Sequence, residues 1–136
     1  MAGKLPTDRN LLEAIFKGYY APFAAFSEEA KTRSAKIWMP IDVDAIARKF
    51  RTDPDMIFGR LYYHLNGKYG QVGTDGVRLG FFEMRVGGDK HCVNFPFLAS
   101  VLADLKEERG RFVWATSIAG LSLVVSIVSI SIALLA

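Results

Sequence analysis

Apolar residues at the start of the chain recur at helical spacing. Leu11, Leu12, Ile15, Phe16, Tyr19 and Tyr20 share one face, and Thr7 or Asp8 is placed to cap the first turn. Pro22 is expected to kink or end this helix, because proline lacks the backbone donor and its ring crowds the preceding turn. The stretch 23–35 begins with Phe23 and Phe26 and turns polar at Glu28, Glu29, Lys31 and Arg33, which predicts the completion of a first helical layer. The run 36–40 is short, apolar and closed by Pro40, the pattern of an edge strand.

Asp42 predicts the cap of a second helix, with Val43, Ile46, Ala47 and Phe50 inward and Arg48, Lys49 and Arg51 outward. Thr52, Asp53 and Pro54 open a third, in which Ile57, Phe58, Leu61, Tyr62, Leu65 and Tyr69 form the buried stripe. After a glycine-rich link, 77–86 and 91–95 read as strands. A two-residue loop at Gly88 and Asp89 would pair Phe82 with Phe95, Met84 with Val93 and Val86 with His91. That register turns Glu83, Arg85, Cys92 and Asn94 away from the apolar face. Pro96 opens a last helix of this domain, with Leu98, Val101, Leu102 and Leu105 inward, and Gly110 is its expected end and a hinge.

Residues 113–136 hold no charge and are rich in Val, Ile, Leu, Ala and Ser. At about 1.5 Å per residue such a helix covers roughly 36 Å, enough to cross a hydrocarbon core of about 30 Å with some tilt. Phe112 and Trp114 stand where interfacial aromatics are expected, and Lys106, Arg109 and Arg111 precede them, which predicts a cytoplasmic N-terminal domain. The expected organisation is a domain over 1–110 and a single transmembrane helix over 111–136, a tail anchor. The first ten residues lack the apolar core of a secretory signal, so insertion is expected to be directed by the C-terminal end. Along the helix Ala115, Ala119, Ser122, Ser126, Ser129 and Ala133 recur at steps of four and three and form one small-residue stripe. A stripe of this kind lets two helices approach closely in lipid, and implies a homo-oligomer or another membrane protein as partner beside the bilayer itself.

The chain is 136 residues long and 51% hydrophobic, which suits one small domain plus one spanning segment and leaves no room for a second core. Lys plus Arg number 17 against 14 Asp plus Glu, none of them beyond Arg111, so the domain is mildly basic and well short of a dedicated nucleic-acid binder. The one cysteine, Cys92, has no internal disulfide partner, in keeping with a reducing compartment.

The order helix, short strand, two helices, β-hairpin, helix is that of an α+β domain. With Ile46, Ala47 and Phe50 on the second helix and Ile57 and Leu61 on the third, residues 8–95 resemble the winged helix-turn-helix superfamily, although Arg51 stands where that motif commonly has glycine. The resemblance implies possible DNA contact through Arg60, Tyr63, His64 and Lys68 of the third helix, with Arg48, Lys49, Arg85 and Lys90 on phosphates. Asp53 and Asp55 oppose that at the helix entrance, where carboxylates repel phosphate and suit capping better.

The same scaffold can serve a protein partner or a second copy. Phe16, Tyr19, Tyr20, Phe23 and Phe26 are more aromatic surface than one inward helix face needs. They either form a docking patch or pack on the third helix and hairpin. Enzymatic chemistry finds little support. His64, His91 and Cys92 lack any metal-binding spacing, no cofactor motif is present, and Gly67, Gly70, Gly73, Gly76 and Gly80 do not make a phosphate loop. The expectation is therefore a non-enzymatic, membrane-anchored regulatory or assembly module, with a membrane-tethered DNA-binding regulator as the alternative.

Overall fold

The computed structural model describes residues 4–135; positions 1–3 and 136, the outer ends of the two expected segments, lie outside the described residues. The first helix, α1, runs Asp8–Ala24, its N-terminus capped by Thr7, whose Oγ1 accepts from the backbone N–H of Asn10 at 3.2 Å. Pro22 does not end it: the helix continues to Ala24, and Ala25 N–H still reaches the carbonyl of Ala21. Leu11, Leu12 and Ile15 are fully buried.

The segment after α1 is not the expected helical continuation but an irregular strap, since its polar run supplies no apolar face to bury. Arg33 holds it down. Its buried guanidinium donates to the carbonyls of Pro22 (3.1 Å), Phe23 (3.1 Å) and Lys36 (2.8 and 3.2 Å) and lies over the rings of Phe23 and Phe26. The last turn of α1 has no basic residue of its own, so Arg33 caps its open carbonyls from downstream.

Strand β1 (Trp38–Pro40) follows, then α2 (Val43–Phe50), capped by Asp42 through the N–H of Ala45 at 3.0 Å. Arg51 ends α2 in the left-handed region, at φ 55°. Helix α3 (Pro54–Gly59), capped by Asp53, passes into a π-helical turn over Arg60–Leu65 and then into α4 (Asn66–Tyr69). Along this run Ile57, Leu61 and Leu65 are fully buried, whereas Phe58, Tyr62 and Tyr69 of the expected stripe are half-buried. Asn66 is buried in addition, and its Oδ1 accepts from the backbone N–H groups of Phe81 (2.9 Å) and Phe82 (3.2 Å). Asn66→Leu keeps the size but strands both donors, and should cost about 2 kcal/mol, read as a fall of roughly 10 °C in Tm.

The expected strand 77–86 is broken at Gly80 and Phe81, and its first part, β3 (Arg78–Leu79), pairs instead with β2 (Gln71–Val72) in a small hairpin across the glycine-rich link, where no strand is expected. The main sheet has the order β1–β5–β4, all antiparallel, with β4 at Phe82–Val86 and β5 at Asp89–Asn94. Its register differs from the expected one by two residues: Phe82 pairs with Val93 and Val86 with Asp89, so the loop is Gly87–Gly88. Gly87 supplies the cause. Its φ of 59° is that of the first loop residue of a type II′ turn, and Ser34 Oγ would lie 2.5 Å from any Cβ there. Cys92 and Asn94 are buried rather than facing water, because β5 is the central strand and is covered on both sides.

Helix α5 (Phe95–Leu135) buries Phe95, Leu98, Val101 and Leu102, and the first compact unit ends at Leu102. The second unit, from Ala103, is helical through Gly110, so that glycine is neither an end nor a hinge. One glycine costs a helix about 1 kcal/mol, too little to interrupt a strongly helix-forming sequence. The architecture is α+β with small antiparallel sheets and one long apolar C-terminal helix. That helix is long and apolar enough to span a membrane, and from Phe112 on its large residues are exposed, from 49% at Ile118 to 88% at Leu135.

Candidate functional site

Of the residues singled out on the third helix, Arg60, His64 and Lys68 converge on one carboxylate, that of Asp8 in the first turn of α1. Arg60 Nη2 and His64 Nε2 approach Oδ1, the latter at 3.3 Å, and Lys68 Nζ lies 3.2 Å from Oδ2. The three side chains stand four residues apart. The π turn takes back the rotation that such steps accumulate in an α-helix, so all three reach the same point. The Asp8 side chain is only 12% exposed, and its hydrogen bond to Lys68 is the main reason the lysine pKa is raised. Arg60 and Lys68 against the one carboxylate leave this face with an excess of positive charge.

Tyr63 projects beside them, 75% exposed and edge-on to Phe58 and Tyr62. Arg48 and Lys49 are exposed on α2, and Lys49 lines a shallow hollow with Asn10, Glu13, Lys17 and Phe50. Arg85 and Lys90 are directly opposed across the β4–β5 hairpin, a like-charge pair that costs stability where no anion lies near. The candidate cations thus occupy three places, α2, the third-helix run and the hairpin.

The N-terminal aromatics are largely used within the domain. Phe16 and Phe23 stack on Phe95 (5.6 and 4.6 Å between centroids), Phe26 covers Arg33, and the Tyr19 hydroxyl accepts from Asp42 N–H at 2.7 Å. Tyr20 alone among them is mostly exposed. A cleft of about 360 Å³ lies elsewhere, at the N-terminal ends of α2 and α3. Ile41, Val43, Pro54 and Phe58 form its apolar wall, Asp42, Asp44 and Asp55 its acidic rim, with Lys90 and His91 at one side. His91 adopts the left-handed region at φ 55° within β5 and stacks near Phe82.

Among the described residues no group of three or more His, Cys, Asp or Glu side chains is arranged to hold a metal ion. Burial, with the negative charge of Asp89 nearby, pushes the Cys92 thiol up to about 11. An unfolded thiol ionises near 8.5. The raised value therefore contributes stability that is complete below about pH 8.5 and is lost as pH rises toward 11. Alkylation of Cys92 at pH 8 should accordingly be about a hundredfold slower in the folded chain than in denaturant. Equal rates would show the thiol to be accessible and ionised.

In the C-terminal helix the hydroxyls of Ser126 and Ser129 donate to the carbonyls of Ser122 and Val125, each at 2.9 Å, as Ser117 and Ser131 do four residues back. The stripe of Ala115, Ala119, Ser122, Ser126, Ser129 and Ala133 lies exposed, and the hydroxyls of Ser126 and Ser129 within it are satisfied by the helix's own carbonyls. Sequence reasoning missed Asp8 as the hub of the third-helix cations. Its four-residue cation spacing, 60, 64 and 68, was the available signal, but nothing in the sequence joins that row to α1. Compared with known protein families, curated proteins and solved structures, the chain matches none.

Proposed function

We propose that this chain is a non-enzymatic module held in a membrane by its C-terminal helix, with its N-terminal domain in the cytoplasm binding a protein partner or a second copy of itself. The observation that carries the reading is the uncharged run of α5, long and apolar enough to cross a membrane. The order of elements and the β1–β5–β4 sheet support a winged-helix-like reading of residues 8–95. Arg109 and Arg111 ahead of the apolar run support a cytoplasmic domain.

A protein partner is favoured over DNA because Asp8 already draws Arg60, His64 and Lys68, and a phosphate backbone would have to compete with it. Fractionation tests the anchoring. The full chain should pellet with membranes after alkaline carbonate washing, with an N-terminal tag open to protease only from the cytoplasmic side. A chain that stays aqueous and monomeric without detergent overturns the reading. Duplex DNA at low salt tests the alternative: a shift lost on Arg60→Ala with Lys90→Ala would transfer the function to a membrane-tethered DNA-binding regulator.

A further inference from the structure

Helix α2 buries Val43, Ile46 and Ala47 and turns Asp44, Arg48 and Lys49 to water, with Arg51 just beyond its end. Its outward charge is divided, acidic at the N-terminal end and basic at the C-terminal end. Among the described residues none of Asp44, Asp55, Arg48, Lys49 or Arg51 has an oppositely charged group at ion-pair distance. The helix dipole accounts for the sign of charge at each end. It does not account for the cleft beside the acidic end, where Asp44 and Asp55 border the half-buried Phe58. Nor does it account for Arg51, a long cation kept at a left-handed position where glycine is the low-strain residue.

We infer that this surface docks on a second copy of itself: α2 pairs antiparallel with α2 of the other copy, the basic end of each entering the acidic-rimmed cleft of the other. The inference rests on the self-association branch of the proposed function. Charge complementarity selects the occupant. Antiparallel pairing about a two-fold axis sets Asp44 of each copy against Arg48 of the other, and repeats the contact so that it closes on itself. Ala45, between the charged positions, leaves room for close approach. Two copies anchored in one bilayer meet at high effective concentration, so a contact of modest strength suffices.

A charge swap tests this on the full chain in lipid vesicles. Ala45→Cys provides a crosslinking site for a short bismaleimide, and buried Cys92 does not compete. In that background Asp44→Lys alone and Arg48→Glu alone should each weaken crosslinking by about tenfold or more, because each sets like charges together twice. Mixing the two variants should restore it, since the mixed pair has both contacts matched. Raising salt should weaken the unsubstituted pair. Far-UV circular dichroism controls for folding, and Asp44→Asn, with lower yield at low salt, replaces Asp44→Lys if the latter unfolds. Crosslinking that survives in a folded single variant, or fails to return on mixing, overturns the surface. If the chain still migrates as an oligomer in detergent while Ala45→Cys never crosslinks, this surface is wrong and self-association stands. If every form is monomeric, self-association falls too, and only a foreign partner remains.

Discussion

Arg33→Met should destabilise the N-terminal domain by about 3–4 kcal/mol, a fall of roughly 15–25 °C in Tm followed by circular dichroism on the detergent-solubilised chain. Arg33 is 6% exposed, and its guanidinium supplies four hydrogen bonds to three carbonyls, two of them at the end of α1 and one across the strap. Bonds to a charged donor are worth about 1.5–3 kcal/mol each, and the set is partly offset by the cost of burying the charge. That cost is visible in the pKa of Arg33, which burial pulls down and Asp89 only partly restores. Methionine keeps an apolar stem but removes both the hydrogen bonds and the guanidinium's stacking on Phe23 and Phe26, so the loss measures the two together. Arg33→Lys should not rescue it, because a point charge cannot fork towards carbonyls on two sides and is harder to desolvate. A Met variant melting within about 2 °C of the parent would mean that water replaces the guanidinium at no cost, and that the strap is held by its rings alone.

The elements that could be read along the chain are those whose cause is local. Thr7, Asp42 and Asp53 cap the helices that their positions announce, and Pro40 closes an edge strand as a missing donor requires. The uncharged run at the C-terminus is equally plain, because length and composition are the whole of that signal. The strap, the hairpin register and the Asp8 hub have non-local causes. Arg33 is one cation among many until its guanidinium is seen to reach the carbonyls of Pro22 and Phe23 at the end of α1. The register turns on which of two adjacent glycines takes a positive φ, and Ser34, more than fifty positions away, presses against Gly87 alone. Gly110 misleads in the opposite direction: a residue that often ends helices is carried through by strong helix formers on both sides. The small β2–β3 hairpin has too short a strand on either side to register as alternation.

Placing two arginines at the centre of the apolar run, Val124→Arg with Val128→Arg, should move the chain from the carbonate-resistant membrane fraction into soluble or aggregated material. Each arginine at mid-depth costs about 2.5–3.5 kcal/mol on the insertion scale, so the pair costs roughly 5–7 kcal/mol. Against this, each Leu, Ile or Val of the segment contributes only about −0.3 to −0.6 kcal/mol. The segment also carries Ser122 and four further serines, Ser117, Ser126, Ser129 and Ser131, which weaken it although the hydroxyls of those four are bonded to backbone carbonyls. The insertion margin is therefore close to what two charges remove. Val124→Ser with Val128→Ser is the matched control: it places polar groups at the same depth without charge, lets each hydroxyl bond four residues back, and should leave the chain in the membrane. If the arginine pair remains in the pellet as firmly as the serine pair, the exposed apolar surface of α5 is covered by protein rather than lipid, and the anchoring on which the functional reading stands gives way.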